Sequence, residues 1–123
     1  MHSMAKVLLQ RGFNVLMISA YRFLETARKT YFSGDSKELD VLMEADVLMI
    51  DDMGAEPLME NITVVQWFNL INERQVAGRG TVISTNLTVK ELRERYTERI
   101  ASRLTDKRQC TLVRFMGEDV RRI

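Results

Sequence analysis

Asp51 and Asp52 stand side by side at the end of the apolar run Val47-Leu48-Met49-Ile50, with Met53-Gly54 following. Such a run reads as a buried parallel strand, and it delivers whatever follows to the carboxyl edge of a sheet, where ligands sit in open α/β folds. One carboxylate there can hold Mg2+, usually through water, while the next orients an attacking water, which is the pair that nucleotide hydrolysis needs. A solvated Asp-Asp turn at a strand end is the plain alternative.

Thr81-Val82-Ile83-Ser84-Thr85-Asn86 is a second apolar strand with a polar tip. Placed beside the Asp51 strand, Asn86 would reach the same water or terminal phosphate, and an amide both donates and accepts without adding charge to an anionic site. As a turn residue it would only open toward Thr88. Arg95, Arg99 and Arg103 recur every four residues and so form a cationic ridge on one helix face. Glu91, Glu94 and Glu98 interleave and can neutralise part of it as a solvated face. The sharper reading projects one arginine into the nucleotide site of a neighbouring subunit, against charge on the transferred phosphoryl group. The polar end, residues 115–123, carries Arg121 and Arg122, which could approach phosphate or single-stranded DNA; a solvated tail is the preferred reading.

These residues need strands and helices to place them. Residues 4–9 look like the last turns of a helix that stops at Arg11-Gly12. Residues 14–20 (NVLMISA) form a buried strand, residues 21–31 an amphipathic helix, and residues 36–43 a short helix before the Asp-Asp strand. Residues 61–76 place Ile62, Val65, Phe68, Leu70 and Ile71 at mostly helical spacing, ahead of Gly78-Arg79-Gly80. Residues 81–85 form a third strand, Thr88-Val89-Lys90-Glu91 fits a capping box opening one charged helix through about Leu104, and residues 109–116 give a last strand. Strands alternating with helices imply a parallel sheet covered on both faces. Trp67 and Phe68 on an apolar helix read as core rather than a base-stacking platform, and the eight methionines as gap-fillers.

Composition bounds the partners. The 123 residues are 46% hydrophobic and 28% charged, the mixture of one globular domain or part of one. Eighteen basic against 17 acidic residues leave a net charge of +1, so no global field advertises nucleic acid or an anionic membrane. Cys110 is the only cysteine, which excludes an internal disulfide, suits a reducing compartment and reads as core; His2, the only histidine, has no metal partner of its kind. No signal peptide is visible and no apolar stretch approaches the roughly 20 residues of a membrane span, so a cytoplasmic protein without a membrane partner is expected.

In this order the motifs resemble the AAA+ ATPases of the bacterial replicative-helicase-loader family, the DnaC/DnaI type, close to the IstB transposition ATPases. Residues 47–54 (VLMIDDMG) resemble its Walker B strand, residues 82–88 (VISTNLT) the sensor 1 strand, and residues 99–104 (RIASRL) the segment that carries the arginine finger. The resemblance implies a three-layer αβα P-loop NTPase (AAA+/RecA-like) core with a mainly parallel sheet. It implies that Asp51 coordinates Mg2+, Asp52 takes the catalytic acid position, Asn86 is sensor 1, Arg103 the finger and Arg99 its companion. ATP would be bound and hydrolysed between subunits of a homo-oligomer, to place a replicative helicase on DNA; an IstB-like transposition ATPase is the alternative.

The chain departs from the family pattern twice. Asp52 stands where many AAA+ proteins have Glu, one methylene longer, so weak water activation, or activation shared with Glu56, is expected. No G-x-x-x-x-G-K-[ST] is present, although its backbone N–H groups and Lys grip the phosphates. Residues 1–12 resemble the helix that follows this loop, so residues 1–123 are expected to be the carboxyl-terminal majority of an AAA+ domain, lacking the first strand and P-loop and inactive alone. The strands over 81–85 and 109–116 would then each expose an open edge. A non-catalytic module pairing with full-length subunits is the third reading.

Overall fold

The structure, a computed structural model, describes Lys6, residues 10–106 and the backbone of residues 120–122. Lys6 and Gln10 are helical, and the remainder of the helix expected over 4–9 lies outside the described residues, as do His2, Cys110 and the strand expected over 109–116.

β1 (Val15–Ser19) leads directly into α1 (Ala20–Ser33), whose N-cap Ser19 accepts a hydrogen bond from the Arg22 N–H and which ends at Gly34. α2 (Lys37–Glu44), β2 (Val47–Met53), α3 (Thr63–Val76) and β3 (Gly80–Thr85) follow. β1, β2 and β3 lie side by side in that order and parallel, with Val15 opposite Val47 and Val47 opposite Gly80. In β2 the successive residues Leu48, Met49 and Ile50 are all buried, the two-sided burial that a continuous apolar run requires. Leu48, Ile50 and Ile83 meet Phe23, Ala27, Trp67 and Leu70 of the helices in the main core, while Met49 and Val82 form a smaller cluster with Val15 and Val47 on the other face.

The charged helix expected through Leu104 is two helices, α4 (Val89–Tyr96) and α5 (Glu98–Thr105). Leu92, Tyr96, Ile100 and Leu104 recur every fourth residue, and all are buried. In one continuous helix each such step drifts by about 40° around the axis, which would carry the far end of this stripe out of the core. The chain instead breaks at Thr97, with φ 85° and ψ 161°, and resets the stripe. The same break ends the cationic ridge: Arg95 turns toward Glu56 and Tyr96, and Arg99 and Arg103 turn toward α3. The capping box is present, with Thr88 Oγ1 accepting from the Glu91 N–H and Glu91 Oε1 accepting from the Thr88 N–H.

The solvated tail is also corrected. Val120–Arg122 form β4, which pairs antiparallel with β3 and places Arg122 opposite Val82. An uncovered β3 edge would leave a row of N–H and C=O groups without partners, and the backbone of residues 120–122 pairs with Val82, Ile83 and Ser84 along the edge expected to stand open.

At the opposite end of the sheet Arg74 is 1% exposed. Its guanidinium donates to the carbonyls of Leu42, Met43 and Gly80 and to Thr81 Oγ1. The last turn of α2 is thereby tied to the start of β3. Burial, then the neighbouring Arg79, pulls the guanidinium pKa down to about 10, against the attraction of Asp46.

Candidate functional site

Asp51 and Asp52 lie exposed at the carboxyl end of β2, and Asn86, also exposed, follows the carboxyl end of β3. Because β2 and β3 are neighbours and parallel, both tips share one edge of the sheet, with Ser19 of β1 opposite Asp51. The register passes from Ile50 opposite Ile83 to Met53 opposite Thr85, so β2 holds one extra residue there. A bulge of this kind re-aims side chains at the end of a strand. Here it lets one hydroxyl serve both acidic residues: Ser84 Oγ donates to Asp51 Oδ1 at 2.5 Å and accepts from the Asp52 N–H at 3.0 Å.

The turn after Asp52 is tightly specified. Asp52 has φ 62°, a left-handed conformation that Asp tolerates better than most side chains. The Ala55 N–H closes the turn onto the Asp52 carbonyl at 3.2 Å. Gly54 has φ 114°, and a Cβ there would stand 3.0 Å from the Leu87 side chain. Thr85 Oγ1 donates to the Met53 carbonyl and accepts from the Leu87 N–H, so the loops after β2 and β3 are stitched together. Ser84 and Thr85 were not singled out in the sequence; their only signal was a polar pair ending an apolar strand.

Glu56 is not a water-activating candidate. It is 1% exposed, and both carboxylate oxygens accept hydrogen bonds, from the Gly54 N–H, Trp67 Nε1 and the Tyr96 hydroxyl. Burial raises the Tyr96 phenol pKa, and the hydrogen bond to Glu56 and the charge of Glu56 add to it.

Arg103 is held away from the Asp51 edge of the same chain, and Arg99 shares with it one ring on α3. Their guanidinium carbons lie 4.4 and 4.6 Å from the centre of the Phe68 ring. Arg103 Nε and Nη2 also donate to Asn72 Oδ1 at 3.3 and 3.1 Å. Since α3 connects two parallel strands, it runs back from the carboxyl edge, and nine residues from Thr63 to Asn72 correspond to about 13 Å along its axis. Phe68 therefore does more than fill the core: its ring carries two cations. An open cleft of about 220 Å3 adjoins them, lined by Asn72, Gln75, Val76, Arg103 and Asp106.

Among the described residues no group of three or more His, Cys, Asp or Glu forms a metal cage. Mg2+ does not need one, because it takes one or two carboxylates and completes its shell with water and substrate phosphates. Exposed Asp51, oriented by Ser84, fits that share of the ligands. No helix among the described residues is long and apolar enough to cross a membrane.

The model for IstB-like ATP binding proteins matches residues 2–122. No curated protein sequence matches. Among solved structures, AMPPCP-bound DnaA from Aquifex aeolicus is similar with a TM-score of 0.64 and 20% identity, over 80% of this chain and 31% of that one. A DNA replication initiation factor is similar with a TM-score of 0.69 and 20% identity, over 80% of this chain and 30% of that one. The chain thus spans about a third of the length of these structures. With a parallel sheet that gathers acidic and amide tips at one edge, and a family match over nearly its whole length, the chain belongs to the IstB-like ATP-binding family and has the α/β fold of AAA+ P-loop NTPase domains.

Proposed function

We propose that this chain is the Walker B, sensor 1 and arginine-finger part of an ATPase that loads the replicative DNA helicase. Asp51 would hold Mg2+, and the chemistry that metal would supply is neutralisation of phosphoryl charge. Asp52 orients the attacking water and Asn86 hydrogen-bonds that water or the terminal phosphate. Arg103, with Arg99 beside it, acts on the nucleotide of the next subunit in a homo-oligomer. The observation that carries this reading is the shared edge, where Ser84 joins Asp51 to the strand that leads to Asn86.

A transposition ATPase is the second reading, favoured by the IstB-like family match. The two are separated with the protein carrying an upstream phosphate loop. Loading predicts ATP-dependent transfer of purified replicative helicase onto single-stranded DNA, abolished by Asp51→Ala. Binding to a transposase, with no helicase binding, replaces the first reading with the second.

A further inference from the structure

Glu56 is a buried carboxylate that neither reading uses. Taking a carboxylate out of water is costly, and an apolar side chain of the same volume would fill the space without that cost. What the carboxylate offers instead is direction. Its Oε1 accepts from the Gly54 N–H at 2.7 Å, two residues after Asp52. Its Oε2 accepts from Trp67 Nε1 of α3 at 2.9 Å, and the Tyr96 hydroxyl lies 2.8 and 2.7 Å from the two oxygens.

The same segment is tied a second time to the last turn of α4. Arg95 Nη2 donates to the Glu56 carbonyl, and Arg95 Nε donates to the Tyr96 hydroxyl. Thr97, where the chain breaks before the arginine helix α5, is the next residue.

We infer that Glu56 is a positioning residue of the nucleotide site: its carboxylate holds the Asp51–Asp52 turn through Gly54 and the α4–α5 break through Tyr96. One buried group thereby sets the metal carboxylate and the arginine helix in a common frame. Glu56 touches neither metal nor nucleotide and acts through the backbone it holds. This inference rests on the ATPase reading.

The test compares Glu56→Gln and Tyr96→Phe with the unmodified ATPase carrying its phosphate loop. The readouts are the Mg2+ concentration for half-maximal hydrolysis, ATP affinity without Mg2+, and the indole N–H resonance of Trp67, the sole tryptophan. In the unmodified protein Mg-ATP is expected to shift that resonance, and binding of Mg-ATP without such a shift overturns the inference. Both variants are expected to raise the Mg2+ requirement about tenfold, to leave metal-free ATP affinity within about twofold, and to lose most of the Mg-ATP-induced shift of Trp67. Tyr96→Phe keeps the ring packing, so it decides alone where Glu56→Gln does not fold. A variant that is less stable but keeps the unmodified Mg2+ requirement and Trp67 response shows a purely structural carboxylate and overturns the inference. An unmodified protein that binds no Mg-ATP overturns the ATPase reading itself, and this inference with it, whatever the variants do.

Discussion

Ser84 and Asp51, on neighbouring parallel strands, share a 2.5 Å hydrogen bond in which the serine hydroxyl donates to the carboxylate. The same hydroxyl accepts from the backbone N–H of Asp52. An exposed carboxylate would otherwise sample several rotamers, so the serine holds Asp51 in one of them and pins the bulge that aims it. Ser84→Ala is expected to cost about 1 kcal/mol, the usual net value of one hydrogen bond, and to lower hydrolysis in the protein with its phosphate loop. Urea unfolding and a Mg2+ titration of hydrolysis check both parts; an unchanged Mg2+ requirement would show that Ser84 does not orient Asp51.

Arg74 has four acceptors spread over α2 and β3. Arg74→Met keeps much of the stem but leaves buried carbonyls without donors, at about 1–3 kcal/mol for each group that water does not reach. A loss of about 3 kcal/mol or more is expected. Arg74→Lys should recover little of it, because one ammonium cannot span the planar fork of donors. Chemical denaturation of the three proteins decides the point, and a Lys variant as stable as the original would refute it.

Thr97 adopts φ 85° and ψ 161°, a region that is essentially reserved for glycine. Its branched Cβ makes that conformation costly, by about 1–3 kcal/mol. Thr97→Gly should raise the unfolding free energy by about 1 kcal/mol after the entropy of the freer unfolded chain is deducted. Thr97→Ala should not, because it retains a Cβ. Equal stabilities for the Gly and Ala variants would count against strain at this break.

Tyr96 sets an alkaline limit. Its phenol pKa is raised above the ordinary 10.0, first by burial and then by Glu56, whereas the unfolded chain releases this proton near that ordinary value. Above pH 10 the unfolded state binds fewer protons than the folded one, so this contribution is intact below pH 10 and stability declines as pH rises beyond it. The slope can reach about 1.4 kcal/mol per pH unit. Tyr96→Phe should lack that slope, and Arg74 cancels from the comparison because both proteins carry it. Unfolding free energies between pH 9 and 11 with identical slopes would refute the assignment.

Arg103 rests on α3, well back from the Asp51 edge of its own chain. In the protein with its phosphate loop, Arg103→Ala should leave ATP binding nearly intact and reduce hydrolysis by about 10³-fold or more, the scale of an arginine finger. Mixing Arg103→Ala with Asp51→Ala subunits should restore part of the activity, since each lacks a different half of a shared site. No recovery in verified mixed oligomers would rule out action in trans.

The edge that carries Asp51 and Asn86 was legible in the residues, because two-sided strand burial and turn chemistry are local properties. Val47–Met53 carries a four-residue apolar run ahead of Asp51, Gly80–Thr85 carries Val82 and Ile83 ahead of a polar tip, and parallel pairing follows from the helix that must separate them. The Thr88 capping box is local as well, being closed by two residues three apart.

Spacing alone misplaced Arg95, because it treated residues 88–104 as one rod. The break at Thr97 follows from a requirement that no local pattern states, namely that Tyr96 and Leu104 both reach the same core. Glu56 meets Tyr96 across 40 residues and Ser84 meets Asp51 across 33, so these contacts appear only when separate elements are brought together. Val120–Arg122 became a strand for a similar reason, since an open β3 edge supplied backbone partners that its own sequence does not reveal. Residue order by itself determined the three parallel strands and where the carboxylates of β2 emerge; tertiary structure decided which polar groups those carboxylates meet, because hydrogen bonding inside a fold depends on distances between elements that sequence separation does not measure.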